Sequence, residues 1–179
     1  MRSKEDALEL RDKTLNAKGE TIYEKPSFAQ NILSRRCLLP VSGFFEWRDF
    51  NNNKYPYYIE PTTNPGFLLG SVFDTWVDKS TGELYDTFSI VTTPANPLME
   101  MIHNAKKRMP LILDVEAADK WINPLSTTED IKSIILPYNE GNMKAHTISK
   151  VVGNSKEDRN YPEIIQQVNY PELNQQSLF

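Results

Sequence analysis

Cysteine and histidine are nearly absent from this chain, which holds one cysteine, Cys37, and two histidines, His103 and His146. A lone cysteine excludes an internal disulfide, and these side chains together fall short of the ligand set of a structural zinc site. No metal and no other cofactor is therefore expected. Long apolar runs are missing too: none approaches the ~20 residues that span a bilayer. The opening MRSKEDALEL is charged where a secretory signal would be apolar. The expectation is a cytoplasmic protein without a membrane partner. Basic residues are not in excess, since 20 Lys and Arg face 24 Asp and Glu for a formal net charge of −4. That balance speaks against a protein that coats nucleic acid by general electrostatics. It leaves room for a local basic groove, with Arg35, Arg36 and the run Lys106, Lys107, Arg108 as contributors unless they are solvated helix ends and loops.

What is present is the composition of a folded domain. Hydrophobic residues are 39%, charged residues 25% and aromatic residues 11% of 179 positions, enough for one core of ordinary size and tight for two. Ser3, with Asp6 three positions on and Ala7, Leu8 and Leu10 following, predicts a helix over 3–13. Pro26, Phe28, Ile32 and Leu33 predict a second over 26–36. Runs rich in β-branched and aromatic residues at 37–48, 55–60, 67–77 and 85–93 read as consecutive, largely antiparallel strands, separated by Asn51-Asn52-Asn53, by 62–66 and by 78–82. Short helices are expected over 114–121 and 127–135, the latter opened by Thr127 with Asp130, and a last strand over 145–152. The stretch from Asn160, rich in Pro, Asn and Gln, reads as a wrapping or partly ordered end. With neither repeat nor linker, the pattern predicts a single α+β domain over 1–179, a largely antiparallel or mixed, barrel-like sheet with a few peripheral helices. The strands outnumber the helices that would cover them, so an upstream segment is expected to be missing.

Three residues stand out for chemistry. In Ser42-Gly43-Phe44-Phe45-Glu46-Trp47, strand alternation puts Phe44 with Glu46 on one face and Phe45 with Trp47 on the other. An acid among aromatics is a candidate general acid or base, because partial removal from water suits a carboxyl to proton transfer near neutral pH. The alternative is an edge-strand glutamate pointing to solvent. Gly43 fits either a bulge or a close backbone approach. His103 lies in a loop beside Lys106, Lys107 and Arg108 and could relay a proton, or be a plain surface residue. Asn16, in Asn16-Ala17-Lys18-Gly19-Glu20-Thr21, is an amide able to hold an oxyanion or position a substrate, although Asn beside a Gly-containing turn is commonplace. His146 has no acid or base near it in sequence.

Taken in order, Asn16-Ala17-Lys18-Gly19-Glu20-Thr21, Arg36-Cys37-Leu38-Leu39-Pro40 through Gly43-Phe44-Phe45-Glu46-Trp47, Val91-Thr92-Thr93, His103 and Arg108-Met109-Pro110 resemble the SOS-response-associated peptidase family over nearly the whole chain. The resemblance implies an abasic-site-processing protein of DNA damage repair, self-processing and peptidase-like, with hydrolase and lyase character. In that family an N-terminal cysteine, exposed by removal of the initiator methionine, forms a thiazolidine crosslink with the ring-opened aldehyde of an abasic site in single-stranded DNA. An α-amine, with a pKa of roughly 7.7 to 8.0, is a better nucleophile near neutral pH than a lysine, and the neighbouring thiol closes the ring on the imine. Carried over, the resemblance makes Asn16 the active-site amide, Glu46 the acid/base serving the amine, and His103 the group that hydrogen-bonds the sugar oxygen. It implies DNA contacts for Lys18, where the family commonly has arginine, and for Trp47, Thr92, Arg108 and Ser149.

Two departures shape the expectation. Met1 is followed by Arg2, and the helix over 3–13 corresponds to the family region just before the Asn motif. The nucleophile-bearing segment is therefore expected to be absent from this sequence, and Cys37, which lacks a free α-amine, is read as a packing residue. The spacing from His103 to Arg108 is also longer than in many members. The expected partner is single-stranded DNA with abasic sites, bound by a monomer. The competing expectations are a non-catalytic single-stranded DNA-binding module and an α+β protein of unrelated function, in which Asn16, Glu46 and His103 would be scattered.

Overall fold

In the computed structural model, which describes residues 4–173, the chain alternates between two units, each built on its own sheet. In chain order the elements are α1 (Lys4–Lys13), β1 (Asn16–Lys18), α2 (Asn31–Ser34), β2 (Arg36–Val41), β3 (Phe44–Phe50), β4 (Asn53–Pro61), β5 (Phe67–Val77), β6 (Leu84–Pro94), α3 (Pro97–Ile102), β7 (Arg108–Pro110), β8 (Ile112–Leu113), α4 (Val115–Ile122), α5 (Thr128–Ile134) and β9 (Met143–Thr147). The expected α+β class holds, with β3–β4, β4–β9, β5–β6 and β5–β8 paired antiparallel and β1 paired parallel with β6. Among the described residues no helix is long and apolar enough to cross a membrane.

The first unit gathers residues up to 40 with 68–94 and 109–138. Its sheet runs β1-β6-β5-β2, with β7 against β6 and β8 against β5. Trp121 is fully buried at its centre among Ala17, Ile22, Ile32, Val72, Val91 and Ile131. Its indole Nε1 donates to the carbonyls of Cys37 and Ser71 at 3.0 and 3.2 Å, so the polar edge of a large apolar ring is satisfied. Two helices begin where local chemistry says they should. The Asp114 side chain accepts from the Ala117 amide, and Thr127 and Asp130 form a reciprocal capping box at the start of α5.

The second unit gathers 41–67, 95–108 and the chain from 139 on, around the antiparallel sheet β3-β4-β9. Asn51 and Asn52 both take positive φ, 47° and 59°, the two-residue turn whose twist suits a tight hairpin. The turn pairs Phe50 with Asn53, and the register then puts Glu46 opposite Tyr57 and Tyr57 opposite Thr147. Of the stretch from Asn160, the described residues up to 173 pack along this sheet. Ile164 buries against Tyr58, Ile148 and Val152, the Val168 amide donates to the Thr147 carbonyl at 2.9 Å, and the His146 ring Nε2 donates to the Ile165 carbonyl at 2.8 Å.

Three expectations need correction. The helix over 26–36 shrinks to α2. Residues 25–30 form turns instead, with the Phe28 and Ala29 amides both on the Lys25 carbonyl, and Arg36 already belongs to β2. The Arg36 guanidinium donates to the carbonyls of Ile32, Leu33, Trp121 and Asn123, closing the end of α2 rather than extending it. The strand over 37–48 breaks at Ser42-Gly43, and the strand over 145–152 ends at Thr147, after which Ser149 caps a 3-10 turn over Lys150–Gly153. The Ser3 start expected for the first helix lies outside the described residues. Helix α3 was not expected, though Asn96 at its N-cap and Pro97 at its first position are the ordinary signature of a helix start.

Candidate active site

Glu46 owes its surroundings to the edge position of β3. Among the described residues strand β3 pairs with β4 on one side only, so backbone groups on its other side need partners from elsewhere. The Glu46 carboxylate folds back on its own strand, where Oε1 accepts the Trp47 amide at 3.0 Å. Its second oxygen, Oε2, lies 3.2 Å from Nδ1 of His103. With side chains 22% and 18% exposed, the two groups are shielded yet reachable from outside. Glu46 is thus paired and only partly exposed, on an edge strand.

His103 is the residue directly after α3. Its amide donates to the Met99 carbonyl at 2.7 Å, finishing the helix. Its ring Nδ1 lies 3.0 Å from the Arg108 carbonyl, which can only accept. Both neighbours of Nδ1 are acceptors, so the geometry calls for a proton on Nδ1. The loop between them closes on itself, because the Lys107 amide donates to the His103 carbonyl at 2.8 Å and Lys107 adopts a positive φ of 51°. The longer spacing from His103 to Arg108 is therefore a compact turn that brings the Arg108 carbonyl onto the imidazole.

The other expected site residues fall into two sets. Asn16, Lys18 and Thr92 belong to the first unit: Asn16 and Lys18 are both exposed on β1, Thr92 is the register partner of Lys18 on β6, and its hydroxyl donates to the Ala17 carbonyl at 3.4 Å. Gly19, just after them, touches Ile135 so closely that a β-carbon would sit 2.3 Å from the Ile135 Cγ2. Glu46, His103, Trp47, Arg108 and Ser149 belong to the second unit. Trp47 packs against Tyr58, Ile148 and Val152, and Ser149 spends its hydroxyl on the Val151 amide, so both have structural duties. Arg36, a contributor to an expected basic groove, is committed to backbone carbonyls, and Arg35 pairs with Asp74. Cys37 is half-buried and burial pushes its thiol up from the ordinary value, which disfavours the reactive thiolate and agrees with a packing residue. Among the described residues no group of three His, Cys, Asp or Glu side chains is placed to hold a metal ion.

Sequence reasoning missed Asn104. Its side-chain oxygen accepts from the Asp49 amide at 3.1 Å, and its side-chain nitrogen donates to the Asp49 carbonyl at 2.8 Å. No local pattern signals a contact between residues 55 positions apart.

A family model described as SOS response associated peptidase (SRAP) matches residues 2–155. Among curated proteins, the abasic site processing protein YoqW of Bacillus subtilis is 36% identical over 156 residues, covering 86% of this chain and 67% of that protein. The abasic site processing protein HMCES of Xenopus tropicalis is 30% identical over 178 residues, covering 88% of this chain and 51% of its own length. The chain thus spans about two thirds of the first relative and about half of the second. A solved structure from Bacteroides thetaiotaomicron, 44% identical, superposes with a TM-score of 0.90 and covers 94% of this chain and 72% of that one.

Proposed function

The chain belongs to the SOS response associated peptidase family, and from that premise we propose that it processes abasic sites in single-stranded DNA, with Glu46 and His103 as its proton-handling pair. The single observation that carries this reading is the Oε2–Nδ1 contact of 3.2 Å at the open edge of β3. The names of the relatives, abasic site processing proteins, support the substrate.

On this reading a cysteine α-amine, where the full reading frame supplies one, adds to the C1′ aldehyde of the ring-opened sugar. Glu46 takes the proton the amine gives up and returns it to the hydroxyl that departs as water when the imine forms. The thiol then adds across the carbon–nitrogen double bond to close a thiazolidine. His103, donating from Nδ1 toward Glu46 and the Arg108 carbonyl, uses Nε2 to accept a hydrogen bond from a sugar hydroxyl. Asn16 is the amide that positions the reacting oxygen. Lys18, Thr92 and Arg108 contact phosphates, Trp47 meets a base with the part of its ring that packing leaves free, and Ser149 adds a lesser phosphate contact. Self-processing of the protein's own start accounts for the peptidase name, and the lyase character belongs to imine chemistry at C1′.

The test is a time course on a denaturing gel, with protein expressed from the full reading frame and a single-stranded oligonucleotide bearing one abasic site. Glu46→Gln is expected to slow adduct formation by about 100- to 10,000-fold, the usual range of general acid/base help, and His103→Ala to slow it as well. Adduct formation unaffected by either change would remove the pair from the chemistry. Binding of the oligonucleotide without any adduct would favour a non-catalytic DNA-binding module instead.

A further inference from the structure

We infer that Asn104 is a positioning residue: by bonding the open edge of β3 it holds His103 in register with the Glu46 carboxylate. A carboxamide carries one donor and one acceptor side by side, the same pair that a peptide unit offers to a neighbouring strand. Asn104 uses both on a single residue, accepting the Asp49 amide at 3.1 Å and donating to the Asp49 carbonyl at 2.8 Å. It thereby takes the place of a missing strand at that point of the edge.

The next outward amide along β3 shows why this matters. In an antiparallel strand, alternate residues direct their backbone groups to the same edge, so Trp47 and Asp49 both face away from β4. The Trp47 amide is taken by Glu46 Oε1 and the Asp49 amide by Asn104 Oδ1. Two successive edge amides are therefore covered by the acid and by the residue next to the imidazole. His103 is covalently adjacent to Asn104, and its Nδ1 reaches Glu46 Oε2 at 3.2 Å. The turn that follows fixes the Arg108 carbonyl on Nδ1 but concerns only the loop itself. The Asn104 bonds instead tie that loop to the strand that bears Glu46.

The expected signature is in the imidazole. The chain has two histidines, and they make an internal control: His103 turns Nδ1 toward the Arg108 carbonyl, whereas His146 turns Nε2 toward the Ile165 carbonyl, so the neutral rings are expected to favour opposite tautomers. A long-range proton–nitrogen NMR spectrum of histidine-labelled protein distinguishes these tautomers. Asn104→Ala is expected to lower the ratio of Nδ1–H to Nε2–H forms at His103 by about tenfold, the equivalent of one to two ordinary hydrogen bonds, and to leave His146 unchanged. Asn104→Asp, which keeps the acceptor and loses the donor, is expected to fall between. An unchanged His103 spectrum in Asn104→Ala overturns the inference, and so does a change at both histidines, which would mean general unfolding.

The consequence for rate rests on the proposed function, and the two are separable. Adduct formation by Asn104→Ala should slow about tenfold at saturating oligonucleotide, with the concentration for half-saturation unmoved. A shifted tautomer with an unaltered rate would uphold the positioning by Asn104 and count against the role given to the Glu46–His103 pair. A slowed rate with an unaltered tautomer would overturn the positioning.

Discussion

At Gly43 the chain leaves no room for a side chain. A β-carbon there would lie 2.4 Å from the Ile59 carbonyl and 2.5 Å from the Tyr58 ring, so of the two readings open to this glycine, bulge or close approach, the second applies. Gly43→Ala should destabilise the protein by about 3 kcal/mol, at the upper end of ordinary overpacking, because the nearest obstacle is a strand backbone that cannot yield. A urea titration checks it; an unshifted midpoint would show that β3 and β4 can separate at no cost. The same short stretch illustrates what single residues reveal. Glu46 and His103 were recognisable as candidates from residue type and setting alone. Their pairing was not, because the two lie 57 positions apart in the chain, and neither was the side of the ring that meets an acceptor, which depends on a carbonyl supplied by Arg108. Asn104 gave no signal at all: an exposed loop asparagine looks the same in sequence whether it bonds water or a strand edge.

Among elements, those whose ends are chosen by neighbours in sequence were legible. The Thr127–Asp130 box and the strand runs at 55–60, 67–77 and 85–93 appear where their patterns put them, and the hairpin turns at the asparagines of 51–53. Helix 26–36 failed because its fate is settled by Arg36, whose guanidinium serves carbonyls as distant as Trp121 and Asn123. Glu172 and Tyr55 form a latch near the end of the described residues. The Glu172 carboxyl is kept below the ordinary carboxylate range by its own backbone N–H and by the hydroxyl of Tyr55, which donates at 3.0 Å. A depressed carboxyl pKa in the folded state contributes stability that is present above the unfolded value, about 4.3, and lost as pH falls through the folded one. Protection of the Val168 amide against hydrogen exchange, corrected for the intrinsic rate, should therefore hold from neutral pH to about 5 and fall below about 4. In Glu172→Gln the protection should be lower at neutral pH and insensitive to acid over that range. Equal acid response in both proteins would assign the latch to other groups.

For the molecule as a whole, a net charge of −4 means that attraction to DNA has to be local. With Lys18, Arg108 and one further cation each neutralising a phosphate, the logarithm of the affinity for a short single-stranded oligonucleotide should fall with the logarithm of salt at a slope of about −2. Fluorescence anisotropy across a salt series reads that slope; a flat line would mean that binding, if any, does not run through phosphates. The sequence by itself determined the α+β class, most strand and helix positions and the order of motifs that marks the family, since each of these depends on periodicity, capping or residue identity along a short stretch. Tertiary structure alone decided which backbone edge stays open on β3, that Arg36 works on carbonyls and not on a ligand, and that Glu46, His103 and Asn104 meet there. Those outcomes rest on partners tens of residues apart, and their hydrogen bonds exist only once the sheet and the α3 loop have brought the groups within about 3 Å of one another.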